Sequence, residues 1–215
     1  MTGKLFLIYL DTIAPFLTLL VFAVRMRLVL KERVLSLLFL YLLVQLVLNG
    51  TANLFSSQRI NSHPFFHLNI FLSFFLVTEV YRSLLPSRHG LIGWLRVAYV
   101  GATALNLLTG GSIYRFNSFG FSVASLLVMA LSLLYFLQVI REPTQEGLSR
   151  QPRFWINVGF FTYFTTSFFV FITYDYFTRK GIKVGYLWRF HNVMLTLLCT
   201  YLITGLLCSR SDRKY

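Results

Sequence analysis

The chain has 215 residues, of which 56% are hydrophobic and 13% are charged, and its formal net charge is +13. A soluble domain has about a quarter of its residues charged, so this composition excludes an ordinary soluble protein. The basic residues lie in short gaps between long apolar runs, a pattern typical of membrane-spanning helices flanked by charges, and it argues against nucleic-acid binding.

Seven apolar runs are long enough to be membrane-spanning helices, because about 20 apolar residues cross a bilayer. In chain order the predicted spans are Leu5–Val24, Val34–Phe55, Phe65–Leu85, Leu91–Leu108, Phe119–Ile140, Phe154–Phe177 and Leu187–Cys208. The segments between them are too short for a soluble domain. We therefore predict an all-α integral membrane protein in which residues 1–215 form a single seven-helix transmembrane domain.

The first run follows Lys4 as in a signal peptide, but Asp11 interrupts it and no small-residue cleavage site follows, so we expect a retained first span. The Lys and Arg residues then predict the direction of insertion. Thirteen of them flank one set of span ends and seven flank the other. The positive-inside rule places the larger group in the cytoplasm. We predict a multi-pass cell-membrane protein with its N-terminus outside and its C-terminus inside.

The second span carries a stripe of three amides, Gln45, Asn49 and Asn53, at spacings of four residues. Residues four apart lie on one face of a helix, so these side chains point in nearly the same direction. Polar groups inside a membrane are costly and tend to face the interior of a bundle. The stripe predicts either hydrogen bonds between helices or the lining of a ligand site.

Glu79 in the third span and Asn157 at the start of the sixth are further candidates for a ligand site. Arg82 follows Glu79 by three residues and can pair with it on the same helix face. Two interpretations of Glu79 follow. One is an ion pair at the inner boundary, and the other is a buried carboxylate that senses or carries protons.

Three of the four histidines lie at predicted outer ends: His63 and His67 at the third span, and His191 beside Asn192 at the seventh. Three imidazoles could hold Zn²⁺ with an open fourth position, and axial histidines could hold haem. The alternative is a set of interfacial, ligand-facing side chains, because Pro64 makes His63 a cap or loop residue. Both the metal set His63, His67 and His191 and the ligand-binding set His67, His191 and Asn192 stay open.

Two short motifs open the last two predicted helices. The letters FWIN begin one at Phe154, and Trp188 followed by His191 and Asn192 begins the next. From Phe154 to Leu206 the sequence resembles the closing helix pair of multi-span membrane input modules of bacterial sensor proteins, some of which are fused to histidine kinases. The resemblance implies signal transduction in a bacterial inner membrane. We expect no output domain within these 215 residues, so the output would come from a cytoplasmic or membrane partner.

The first functional hypothesis is therefore a sensor or receptor-like module that binds a small or lipidic ligand between its helices and signals through a partner. One alternative is a transporter or channel for a small solute or ion. Another is a metal-dependent membrane enzyme that uses the outer histidines, and a third is an accessory subunit of a larger complex. Membrane lipids are expected partners, and nucleic acid is not.

Overall fold

A computed structural model describes residues 2–142 and 147–209, with the side chains of that part except those of residues 2–6 and 8. Within these ranges the chain is helical and contains no β-strand. The α-helices are α1 Thr2–Val24, α2 Met26–Lys31, α3 Arg33–Ser57, α4 His63–Leu84, α5 His89–Leu108, α6 Ser118–Arg141, α7 Pro152–Arg179 and α8 Gly185–Cys208. Short 3-10 turns, Pro86–Arg88 and Leu148–Arg150, precede α5 and α7.

Six helical segments of the described chain are long and apolar enough to cross a membrane, and each overlaps one predicted span. They are Arg33–Ser57, His63–Leu84, Pro86–Leu108, Ser118–Arg141, Pro152–Arg179 and Gly185–Cys208. The apolar stretch described in α1, Tyr9–Val24, is shorter. The chain is thus a helical, polytopic membrane protein by length and composition, while the seventh span and the direction of insertion stay predictions.

Six helices form a closed ring of contacts. In that ring α1 packs on α3, α3 on α4, α4 on α6, α6 on α7, α7 on α8, and α8 returns to α1. Large apolar side chains fill the centre, among them Phe22, Leu38, Phe74, Phe160 and Leu202, which are fully buried. The short α2 packs against α3 and completes the turn between the first two ring helices.

α7 and α8 approach each other closely at two glycines, which remove side-chain bulk. A Cβ atom at Gly159 would lie 2.9 Å from Cβ of Tyr201, and one at Gly205 would lie 3.0 Å from Cγ1 of Ile156. Membrane helices associate by close packing because lipid is as apolar as their side chains, so small residues at the contact bring the backbones together. These glycines therefore set the spacing of the α7–α8 pair.

α5 lies outside the ring, and its main contacts within the described chain are with α4, α6 and the preceding 3-10 turn. Its buried residues are Ile92 and Tyr99, whereas Trp94 is 74% and Leu108 is 84% exposed. Most of its surface therefore faces the surrounding lipid. This loose attachment creates the groove described below.

The connections of the ring meet at its two ends. At one end Asn61 donates a hydrogen bond from Nδ2 to the carbonyl oxygen of Tyr114 at 2.9 Å, which joins the α3–α4 and α5–α6 connections. We name this end, with the α7–α8 connection, the predicted outer end. The opposite end, with the α4–α5 and α6–α7 connections, is the predicted cytoplasmic end.

Candidate functional site

The amide stripe of α3 forms a hydrogen-bonded layer with α4, here named the amide network. Asn49 donates to Oε1 of Gln45 at 3.0 Å. Asn69 of α4 donates to the same Gln45 oxygen at 3.1 Å and to Oδ1 of Asn49 at 3.0 Å, and Gln45 donates to Oγ of Ser73 at 3.0 Å. The sequence-predicted stripe thus makes bonds between helices, and these bonds pair amides that would be costly alone in lipid.

The buried carboxylate of Asp11 on α1 continues this network. Asn53 donates from Nδ2 to Oδ1 of Asp11 at 3.0 Å, and Asn49 donates to the Asp11 carbonyl oxygen at 3.2 Å. Asp11 is 3% exposed. Among the described side chains no Lys or Arg pairs with it. Neutral donors therefore hold an acidic group inside the bundle, which marks it as a functional candidate.

His191 and Asn192 of α8 face the same interior. Nε2 of His191 lies 3.1 Å from the Tyr163 hydroxyl, and Nδ1 lies 3.2 Å from Oγ of Ser167. Asn192 donates to the carbonyl oxygen of Leu7 on α1 at 3.2 Å. These contacts tie α7, α8 and α1 together at the depth of the amide network.

A small cavity lies between the amide network and His191. Its lining includes Asp11, Asn49, Asn69, His191 and Asn192, and its volume is about 20 Å³. One water occupies about 10–15 Å³ on this measure, so the cavity has room for a water or two but not for an organic ligand. Five of the predicted ligand-binding residues contribute to this region, namely Gln45, Asn49, Asn53, His191 and Asn192.

The predicted metal set is not assembled. Aromatic rings separate His191 from the other two histidines, since Phe66 and Phe116 pack on Trp188 with ring centroids 5.1 and 5.5 Å apart. No group of three His, Cys, Asp or Glu in the described ranges could hold a metal ion. His191 also has both ring nitrogens within hydrogen-bond distance of protein hydroxyls. The expectation of a zinc site on His63, His67 and His191 is therefore corrected, because these described side chains do not converge, while the haem alternative stays a prediction.

His67 instead lines a groove between α4 and α5, close to the predicted outer end. Its Nε2 donates to the carbonyl oxygen of Arg115 at 3.0 Å. The groove has a volume of about 460 Å³. Its walls are mainly apolar and are formed by Pro64, His67, Leu68, Phe71, Tyr99, Val100, Thr103, Ala104, Asn106, Leu107, Ile113 and Asn117. Small-molecule sites typically span about 300–1,000 Å³, so this groove has the size of a ligand pocket.

Two residues of α5 close the inner end of the groove. The Tyr99 ring packs on Phe74 with centroids 4.1 Å apart. About one turn nearer the cytoplasmic end, Arg96 donates to Oγ1 of Thr78 at 2.8 Å and to Oε2 of Glu79 at 2.7 Å. α5 is therefore fixed to α4 at this level, while its outer half stands away from α4.

Glu79 is the centre of an ion-pair cluster that joins three helices. The predicted partner Arg82 lies 3.3 Å from Oε2, and the shorter contacts come from Arg96 of α5 and Arg33 of α3. Helix ends with three guanidiniums around one carboxylate are fixed relative to one another, because the charge-assisted bonds are directional. Of the two interpretations of Glu79, the structure contains the ion pair.

Asn157 belongs to a second polar layer, nearer the predicted cytoplasmic end. The Tyr81 hydroxyl donates to Oδ1 of Asn157 at 2.7 Å and also contacts Oγ of Ser132. Asn157 donates to the carbonyl oxygen of Ser132 at 3.3 Å. The layer connects α4, α6 and α7, and it lies apart from both the cavity and the groove.

Sequence reasoning missed four residues that the tertiary contacts make important. Asp11 was interpreted only as an interruption of the first apolar run. No individual role was predicted for Asn69, Arg33 or Arg96. A search for every polar residue inside an apolar run would have found Asp11 and Asn69. No sequence signal pairs Arg33 with Glu79, because the two residues lie 46 positions apart.

Comparison with family models, with curated proteins and with solved structures finds no match for this chain. The resemblance of Phe154–Leu206 to sensor input modules therefore stays a prediction from short motifs. The groove, the polar interior and the ion-pair cluster carry the functional conclusion.

Proposed function

We propose that this chain is a receptor-like, seven-span module of a cell membrane, which binds a lipidic ligand between α4 and α5 and signals through a partner at its cytoplasmic end. The observation that carries the proposal is the groove of about 460 Å³. The amide network offers a cavity of only about 20 Å³. Of the two ligand locations predicted from the sequence, the outer histidine region is thus the one with sufficient room.

The lining of the groove supports a ligand with a hydrocarbon part and a polar end. Leu68, Phe71 and Val100 form apolar walls at a depth where the surrounding solvent is lipid. His67 and Asn117 supply hydrogen-bonding groups near the predicted outer end. An acyl chain placed along the walls would leave its polar end beside these two side chains.

The attachment of α5 supports a route from the ligand to the cytoplasmic end. α5 is held at Tyr99 and Arg96 and is largely exposed beyond them. A chain wedged between the outer halves of α4 and α5 would tilt α5 about the Arg96 contact. That movement would shift Arg96 against Glu79, and through Glu79 it would reach Arg33 on α3.

Labelling with a photoreactive fatty acid tests this site. Purified protein in nanodiscs would be labelled with a diazirine-bearing fatty acid, and the modified peptides of α4 and α5 would be quantified by mass spectrometry. Ala104→Phe fills the groove and should lower labelling of its lining at least fivefold. Ala98→Phe is the matched control, because Ala98 is an exposed α5 residue outside the groove. Equal labelling of Ala104→Phe and the unchanged protein would contradict the proposal.

A second candidate, transport of a proton or small cation, is favoured by one observation. Asp11 and His191 are ionisable side chains on the wall of a buried, water-sized cavity. Ion flux into liposomes would be compared for the unchanged chain and for Asp11→Asn. A lower ion flux in Asp11→Asn would favour transport. Equal flux in the two proteins would rule out an ion pathway through Asp11.

A further inference from the structure

A crevice separate from the α4–α5 groove lies at the predicted cytoplasmic end, between the α4–α5 connection and the last turns of α6. Its volume is about 250 Å³. The turn contributes Ser87 and Arg88, and α6 contributes Gln138, Arg141 and the following Glu142. These side chains bring two guanidiniums, an amide and a hydroxyl to one concave surface.

Neither arginine of this crevice has an acidic partner in the part of the chain that the structure describes. Arg33, Arg82 and Arg96 share Glu79, and Arg179 pairs with Asp175, whereas Arg88 and Arg141 form no ion pair there. Among the described lining residues Glu142 is the one carboxylate, so together they have a formal net charge of +1. A singly charged anion matches that charge.

The crevice also has an apolar wall that continues toward the lipid. Leu134 and Leu137 of α6 line it, about one to two turns deeper than Arg141. Leu137 is 49% exposed, and Trp94 on the neighbouring α5 is 74% exposed. Hydrocarbon chains would lie along this face, on the membrane side of the two guanidiniums.

We propose that this crevice binds the phosphate of an anionic phospholipid whose headgroup carries one negative charge. Arg88 and Arg141 donate to the phosphate oxygens, since planar guanidiniums match phosphate geometry. Gln138 and Ser87 supply neutral donors, and the leucines contact the acyl chains. Free inorganic phosphate presents the same oxygens, but it leaves the apolar wall without a partner. The site is independent of the α4–α5 groove and of the function proposed for that groove.

A lipid titration tests the site. Protein would be placed in phosphatidylcholine nanodiscs containing increasing fractions of phosphatidylglycerol, and bound phosphatidylglycerol would be counted by native mass spectrometry. Each basic residue near a membrane surface adds about 1 kcal/mol of attraction, roughly a fivefold change. Arg88→Gln and Arg141→Gln should each raise the half-saturating fraction about fivefold, and the double variant about 25-fold. Glu142→Gln should lower it severalfold.

Two controls separate the crevice from general surface charge and lipid from free phosphate. Arg150→Gln removes the same charge at the same end but outside the lining, and it should change the half-saturating fraction less than twofold. Inorganic phosphate added to the unchanged protein should displace little lipid. Double-variant binding equal to that of the unchanged protein, or full displacement by inorganic phosphate, would overturn the proposal. All four altered side chains are exposed, so circular dichroism should show intact folding.

Discussion

α5 and α7 come from apolar runs of equal mean hydropathy, yet they occupy opposite situations in the molecule. Half of the most apolar stretch of α7 is buried, against 11% of that of α5. α7 packs between α6 and α8 inside the ring, whereas α5 packs on α4 and α6 from outside. Hydropathy decided that both are membrane helices but not how tightly either one packs.

Specific side chains account for the difference. In α7, Gly159 has no side chain, so Tyr201 and Leu198 of α8 pack closely against it. Asn157 of α7 accepts a hydrogen bond from Tyr81 of α4. In α5, the buried and polar contacts lie in the predicted cytoplasmic half, at Ile92, Arg96 and Tyr99. Beyond Tyr99 most residues of α5 are exposed, so this half of the helix gains little over contact with lipid. In the proposed mechanism, α5 is therefore the helix that a ligand would move.

The largest effect should come from filling the α7–α8 contact. Gly159→Val places a side chain where a Cβ atom alone would lie 2.9 Å from Tyr201 and 3.0 Å from Leu198, so we expect a loss of about 3 kcal/mol in the free energy of unfolding. Gly101→Val on α5 is the control, because no atom lies within 4 Å of its Cβ position. Unfolding in detergent, followed by circular dichroism, measures both. Equal stability of the two variants would remove the contrast between the helices.

A smaller effect should follow from releasing α5 from α4. Arg96→Gln removes charge-assisted bonds to Glu79 and to backbone and side-chain oxygens of α4, and we expect about 2 kcal/mol of destabilisation. Spin labels at positions 68 and 107, in a chain without its native cysteines, should report a broader distance distribution across the groove. Arg179→Gln breaks an exposed pair and serves as control. An unchanged distance distribution would mean that Arg96 does not hold α5.

The smallest effect should come from the amide network. Asn69→Leu removes donors to Gln45 and Asn49, and interhelical hydrogen bonds in membranes are worth about 0.6 kcal/mol each, so we expect a loss of about 1 kcal/mol. Thr200→Val is the control, because Thr200 is exposed and bonds only to its own helix. The same unfolding measurement compares the two. A loss as large as that for Gly159→Val would show that polar bonding, rather than close packing, dominates the ring.

Much of the secondary structure was predictable from local sequence. Six predicted spans correspond to observed helices because a bilayer demands uninterrupted apolar segments of fixed length. The spacing of Gln45, Asn49 and Asn53 placed them on one face, and the structure shows that face turned toward α1 and α4. The pairing of Glu79 with Arg82 was also foreseen, since both lie on one helix.

The sequence by itself therefore determined an all-helical membrane protein with polar groups concentrated in a few helices. Only the tertiary structure decided which of those groups meet. It brought Asp11 to Asn53, linked Arg33 and Arg96 through Glu79, and separated His191 from the two histidines of α4. The physical reason is that core-facing and lipid-facing surfaces are both apolar in a membrane helix. The periodicity of apolar residues consequently does not mark the buried face of a membrane helix. Which helices are neighbours is decided by packing and hydrogen bonds between distant parts of the chain.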